Sequence, residues 1–406
     1  MFADVFGQIK LLRTPVRSLI YLYWIYSFTS SLVVIFIQIV IFKMFLSVPV
    51  NIVAVMFTFT GTMIGFCLFG YLLSYYSLGA KRGFYYSFLS FAISILMLSQ
   101  AKTIGTVYVS AFLYGLGGGF FWLTIHTYEL TETKDEDRDF YSSVLSGGQK
   151  IIQIVGPLFA TGIIWFSLYI PHVSSLTLLF VLTPLFYLLG LFCFKGINEY
   201  IPERIEFADV KHFILDKRNR IAQIYIAGSG MKHLIGNIIP PLVIFYILGT
   251  ELHVGIYSTV VGILSVILVI ALSRFRNKGN RIYLFGIAAV GISALCLLLG
   301  YNMTFLSLVI YTIGNTILTP IMNVSDHVIA LQTIETIGRE NKDFYSTMIL
   351  RDFFLWVYRM IAGVALLIIV KFCTSNVQML SIGLYFLALT TLLTFFGAKY
   401  LVGKLS

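Results

Sequence analysis

The chain is 406 residues long, 58% hydrophobic and only 11% charged, against roughly 25% charged in a soluble protein. At a mean hydropathy of +0.90 no soluble core can hide this much apolar surface, so the bilayer must be the solvent. A formal net charge of +10 would suit a nucleic-acid binder, but the basic residues stand between apolar runs, where they set membrane topology. Nucleic acid is therefore not an expected partner; the lipid bilayer is.

Residues 1–18 read as a short amphipathic lead-in on the membrane surface, without a cleavable signal. A spanning helix needs roughly 20 mostly apolar residues. Twelve runs qualify, at about 18–42, 52–76, 84–100, 103–130, 140–168, 175–194, 221–248, 253–273, 281–300, 304–332, 343–371 and 377–398. Alternating barrel strands are absent, and backbone at lipid depth has no water to bond, so the expected fold is all-α. Lys10, Arg13, Arg17, Lys81, Arg82, Lys134, Arg138, Arg274, Arg276, Lys278, Arg281, Arg339, Lys342, Lys399 and Lys404 fall on one side and only Lys43, Lys102 and Lys371 on the other. The rule that basic residues stay inside places both termini in the cytoplasm.

The longest polar stretch, 195–220, divides six spans from six. Ile205, Phe207, Val210, Phe213 and Ile214 give it the pattern of an amphipathic helix on the cytoplasmic face. An N-terminal six-helix bundle (1–194) and a C-terminal one (221–406) are expected on either side. They repeat in parallel: Arg17 matches Arg220, Gly79 matches Gly279, Arg82 matches Arg281, His126 matches His327, and Asp139-Phe140-Tyr141-Ser142 recurs as Asp343-Phe344-Tyr345-Ser346, all at offsets of 199 to 204 residues. Parallel six-span repeats pack around an axis along the membrane normal, with a central cavity for substrate at mid-depth.

At these residues the chain resembles the major facilitator superfamily of secondary transporters. The segment GYLLSYYSLGAKR is similar to that family's signature loop between the second and third spans, through Gly70, Leu72, Gly79, Lys81 and Arg82. The loop's aspartate, which in the family helps latch the cytoplasmic side shut, is missing. The resemblance then leaves Glu129, Glu132 and Arg138 to supply the inner gate. In the fifth span Gly148, Gly156, Pro157 and Gly162 resemble the glycine–proline pattern of the family's antiporters; small residues let helices approach and a proline loosens the backbone. The resemblance implies alternating access and a monomer.

Ionisable residues at membrane depth are costly and face a cavity or a partner. Lys150 stands in the fifth span beside Gln149 and Gln153. Lys232 and His233 lie in the seventh, on a polar stripe that continues through Asn237 to Pro240-Pro241, where the helix is expected to break or kink and free carbonyls to line a cavity. Arg351 and Arg359 lie in the eleventh, with Asp352 two turns before Arg359. Against these cations stand few acids at depth, Glu129, Asp326 and Asp352, so an anionic small-molecule substrate is expected, held by Lys150, Gln149, Gln153, Lys232, His233, Asn237, Arg351, Arg359, Trp122 and Asn315. The histidines His126 and His327 titrate near neutral pH. Together with Glu129, Asp326 and Asp352 they are the candidates for carrying a coupling proton.

The cysteines Cys67, Cys193, Cys296 and Cys373 show no metal spacing and read as buried free thiols. No phosphate loop, metalloprotease helix or nucleophile elbow is present, so neither a cofactor, a metal site nor an enzyme is expected. The leading expectation is a proton-coupled secondary transporter of a small organic anion in a prokaryotic inner membrane. The alternatives are a multidrug or lipid-like efflux antiporter, and a non-transporting receptor or scaffold.

Overall fold

Backbone amides with no water to bond must pair within their own segment, and the described residues do this as twelve α-helices. A computed structural model describes residues 12–76, 78–133, 135–172, 174–201, 217–273, 281–341 and 344–405. The helices are α1 Thr14–Phe45, α2 Val48–Tyr75, α3 Arg82–Ser99, α4 Ile104–Glu132, α5 Asp135–Ser167, α6 Ser175–Gly190, α7 Lys217–Leu248, α8 Glu251–Ser273, α9 Arg281–Tyr301, α10 Phe305–Asn341, α11 Phe344–Val370 and α12 Asn376–Leu405. No strand occurs among the described residues. Most of the amphipathic lead-in (1–11), most of the linker (202–216) and the loop at 274–280 lie outside them.

Among the described residues, eleven helices are long and apolar enough to cross a membrane. The twelfth, α6, has 16 residues, about 24 Å at the usual rise, short of the roughly 30 Å hydrocarbon layer. The 3-10 turn Cys193–Gly196 continues it beyond Gly190.

Helix boundaries depart from the hydropathy pattern in three places. The acidic run Asp135–Asp139 is the first turn of α5, so only Thr133 and Lys134 separate it from α4. The helix α10 runs on to Asn341 for 37 residues, about 55 Å, well past the hydrocarbon. The expected break at Pro240-Pro241 does not occur: both prolines sit inside a continuous α7, which ends at Gly249 with φ 77°. Irregular backbone at lipid depth costs more than the hydrogen bonds the prolines remove.

The residues cluster into two units. One holds Met1–Val40, Phe57–Arg204 and Glu251–Ile263; the other holds Ile41–Met56, Ile205–Thr250 and Leu264–Ser406. In the first, α3 packs on α4 and α6, and α5 packs on α6; in the second, α9 packs on α10 and α12, and α11 packs on α12. The same neighbours recur six helices later, as a duplicated bundle requires.

Small residues set the close crossings. Gly61 and Gly65 of α2 lie against the Phe112 and Leu116 backbone of α4, while Gly115 and Gly119 of α4 lie against Thr58, Thr62 and Phe66 of α2. Two Gly-x-x-x-Gly faces thus meet reciprocally, which brings the backbones within van der Waals reach. The first unit's core is aromatic: Phe84, Phe88, Phe91, Phe121, Tyr128, Tyr187 and Phe194 are fully buried, with Tyr26 stacked on Phe121 at 4.0 Å.

Candidate functional site

Among the described residues each unit has a half-buried acid held by a tyrosine and a basic partner. In the first unit Glu129, near the end of α4, accepts a hydrogen bond from the Tyr141 hydroxyl of α5 at 2.9 Å. The Nδ1 atom of His126, one turn earlier, lies 3.0 Å from its other oxygen. Trp122 stacks on His126 with centroids 5.6 Å apart and meets Tyr23 of α1 edge-on at 5.8 Å. Tyr23 in turn is hydrogen-bonded to Gln149 and lies within electrostatic reach of Glu129. The positions 122, 126 and 129 share a face because of the i, i+3, i+4 spacing of a helix.

The second unit's acid is Asp326 of α10. Lys232 of α7 stands 3.2 Å from its carboxylate, and both side chains are 15% exposed. The Tyr225 hydroxyl, two turns before Lys232, lies within hydrogen-bond distance of both the Asp326 carboxylate and its main-chain carbonyl. His233 has Lys232, Asp326, Arg351 and Arg359 as its electrostatic neighbours. Arg359 of α11 is half-buried and has Asp352 and Arg351 as electrostatic neighbours. The side chain of His327 lies outside the described residues.

Two cations differ from the rest. Lys150 donates to Gln153 Oε1 at 3.1 Å, and among the described residues neither Lys150 nor Arg351 forms an ion pair. The stripe on α7 is open: His233 and Asn237 are exposed, and no atom lies within 4 Å of where a Cβ on Gly236 would stand. Asn315 is turned inward along α10, where its Oδ1 accepts from Thr319 at 3.0 Å.

The glycines of α5 are contact points of two kinds. Gly148 lies under the Trp24 ring and Gly156 under Ser31, both on α1, and the Trp24 indole donates to the Leu145 carbonyl at 3.3 Å. Pro157 has no N–H for the Gln153 carbonyl, and that carbonyl lies against Gly262 of α8. Gly162 touches nothing within 4 Å at its Cβ position.

The signature-like loop has a partner that the sequence pattern did not suggest. Glu199, just beyond the 3-10 turn, lies over Gly79 and accepts from the Lys81 amide at 3.3 Å. The Ala80 amide donates to the Tyr200 carbonyl at 2.8 Å, Lys81 Nζ to the Ile197 carbonyl at 3.0 Å, and the Tyr128 hydroxyl to the Asn198 carbonyl at 2.8 Å. The expected inner-gate group is arranged otherwise. Glu129 turns to His126 and Tyr141, the main-chain carbonyl of Glu132 accepts from Arg13, Gly70 is buried and Arg82 exposed, and the Arg138 side chain lies outside the described residues. A carboxylate from after α6 thus serves the loop that lacks its own. Gly79→Ala should turn the flexible, exposed Glu199 side chain off the Lys81 amide and lower the melting temperature only slightly, by about 1 kcal/mol or less for one exposed hydrogen bond. In a Glu199→Ala background, where that hydrogen bond is already gone, Gly79→Ala should cost nothing further in a thermal-unfolding series.

The thiols are free but not uniformly buried: Cys296 is buried, Cys193 and Cys373 are partly so, and Cys67 is exposed on the outward face of α2. An apolar surface in lipid has no reason to exclude a thiol.

A family model described as the Major Facilitator Superfamily matches residues 19–329. The chain belongs to that superfamily. This major facilitator is similar in structure to the nucleoside transporter NupG, at 15% identity and a TM-score of 0.65 over 95% of this chain and 98% of that one. It is also similar to the human organic anion transporter MFSD10 (TETRAN), at 12% identity and a TM-score of 0.61 over 95% and 99%. These likenesses establish the fold. A search of curated proteins finds no match. The superfamily and the twelve-helix architecture make the protein a multi-pass membrane transporter for a small molecule, not an enzyme.

Sequence reasoning found Glu129, His126, Lys232 and Asp326 singly but missed Tyr141, Tyr225 and Glu199 as their partners. Tyr141 was within reach, since it stands in the repeated Asp-Phe-Tyr-Ser segment.

Proposed function

We propose that the protein is a secondary transporter that moves a small organic anion by alternating access, with a proton as the coupling ion. The two sequence halves, 1–194 and 221–406, act as its moving bodies, and the 195–220 segment tethers them on the cytoplasmic side. The observation that carries the anion assignment is the state of the cations. Asp326 is taken up by Lys232 and Asp352 neighbours Arg359, which leaves Lys150 and Arg351 without a carboxylate among the described residues. A cation held at depth without its own counter-ion is stabilised by an anionic ligand, and more strongly as water is excluded.

The coupling proton belongs to Glu129 and His126. The Glu129 carboxylate and the His126 ring lie 3.0 Å apart, so a proton can pass between them, whereas the Asp326 carboxylate is already paired with the Lys232 ammonium. The basic-residue asymmetry places both termini in the cytoplasm, in keeping with a monomer in a prokaryotic inner membrane. A second reading, efflux of amphipathic compounds by proton antiport, is favoured by the aromatic set Tyr23, Tyr26, Phe121 and Trp122 around the first cluster.

Charge removal separates the two. Lys150→Gln and Arg351→Gln should each weaken binding of an organic anion about tenfold or more, the scale of one lost charge-assisted hydrogen bond. Neutral amphipathic dyes should bind as before. Unchanged anion affinity in both variants, measured by ligand-induced thermal shift, would overturn the anion assignment.

A further inference from the structure

We propose that the α7 stripe His233–Gly236–Asn237 is a subsite for a hydrogen-bond donor, so that the transported solute carries hydroxyl or amino groups in addition to its charge. The subsite rests on the proposed function only for the solute being an anion; the donor requirement stands on the helix itself.

In a helix the carbonyl of residue i accepts from the N–H of residue i+4, or of i+3 where the turn tightens. For Asn237 these residues are Pro241 and Pro240, and neither has an N–H. The helix nevertheless runs unbroken to Leu248. The Asn237 carbonyl is therefore an acceptor that no amide at either position can fill. Its side chain adds another: Nδ2 donates to the His233 carbonyl at 2.7 Å, which leaves Oδ1 as the free end. One turn earlier stands the His233 ring, also exposed.

Two further observations make this a place for a ligand rather than for lipid. Gly236 leaves its side of the helix open, with no atom within 4 Å of a Cβ position, so a ligand atom can approach the backbone. His233 has Asp326 of α10 and Arg351 and Arg359 of α11 as electrostatic neighbours, so charged groups of the same unit stand within electrostatic reach of the stripe. Acceptors on α7 and cations on α11 then stand within one unit. A solute with an anionic group for the arginines and hydroxyl or amino donors for α7 satisfies both. A solute without donors leaves the acceptors dehydrated and unpaired, and is rejected for that reason.

The test uses full-length protein in nanodiscs and matched ligand pairs: D-gluconate with hexanoate, glycerol 3-phosphate with propyl phosphate, and the neutral pair uridine with 2′,3′-dideoxyuridine. The wild type should bind the hydroxylated member of at least one pair about tenfold tighter or more. Pro241→Ala returns an N–H to the Asn237 carbonyl while leaving every polar side chain in place. It should cut that preference several-fold and leave the deoxygenated member unaffected. Asn237→Ala removes Oδ1 and should cut the preference further, and it serves as the independent variant should Pro241→Ala change the helix path. A preference confined to the uridine pair keeps the donor subsite and overturns the anion assignment. Equal binding within every pair, or a preference that survives both variants, overturns the subsite.

Discussion

Asp326→Asn should destabilise the protein by about 3–5 kcal/mol, the usual cost of stripping one partner from a buried ion pair. The carboxylate neutralises Lys232 at 3.2 Å and accepts from Tyr225, so its loss leaves an ammonium with little water and no counter-ion. The pair also ties α7 to α10, which the Tyr225 hydroxyl joins as well. A thermal-unfolding scan in one detergent should show the drop. The double variant Asp326→Asn with Lys232→Met should recover most of it, because a methionine of similar length removes the stranded charge. An unchanged melting temperature in Asp326→Asn would mean that the pair is solvated and carries no structural role.

Glu129→Gln should abolish gradient-driven transport while sparing exchange. Glutamine keeps the shape and can still accept from Tyr141, but it neither binds nor releases a proton. With one proton moved per monovalent anion, a pH difference of one unit supports about a tenfold concentration ratio, since one unit is 1.36 kcal/mol. In the variant that ratio should fall to about one, while unlabelled anion inside the vesicle still exchanges for labelled anion outside. His126→Gln should reduce the ratio as well, because Nδ1 of His126 shares the Glu129 carboxylate at 3.0 Å. Asp326 substitutions should not reproduce this split, because that carboxylate is paired with Lys232 at 3.2 Å.

Hydropathy located the helices well because the bilayer imposes one rule on every span: all backbone bonds internal, side chains apolar. It failed where that rule stops. At the end of α10, Gln, Glu and Arg are good helix formers and carry the helix onward without any apolar signal; at the start of α5 the acidic residues suit a helix N-terminus through the helix dipole. The Pro240-Pro241 pair looked like a break because proline removes a donor, yet the membrane makes the continuous helix the less costly outcome.

The site was legible as an inventory and not as a set of partnerships. Lys232 and Asp326 both stood out as ionisable residues at depth, but they are 94 positions apart, and nothing in a single sequence says which cation meets which acid. Tyr141, 12 positions from Glu129, and Tyr225 were lost among 25 tyrosines, most of which simply pack or sit at the interface. Glu199 was hidden for a different reason: it serves a loop more than a hundred residues earlier, and a family pattern directs attention to the loop's own missing aspartate.

Flux in sealed proteoliposomes tests proton-coupled anion transport most directly. A labelled organic anion carrying hydroxyl groups should accumulate about tenfold across a one-unit pH gradient with the membrane potential clamped, and the ratio should collapse when the gradient is discharged or Glu129 is replaced by glutamine. Equal anion concentrations on both sides in the wild type under the same gradient, across carboxylates and phosphate esters alike, would contradict it.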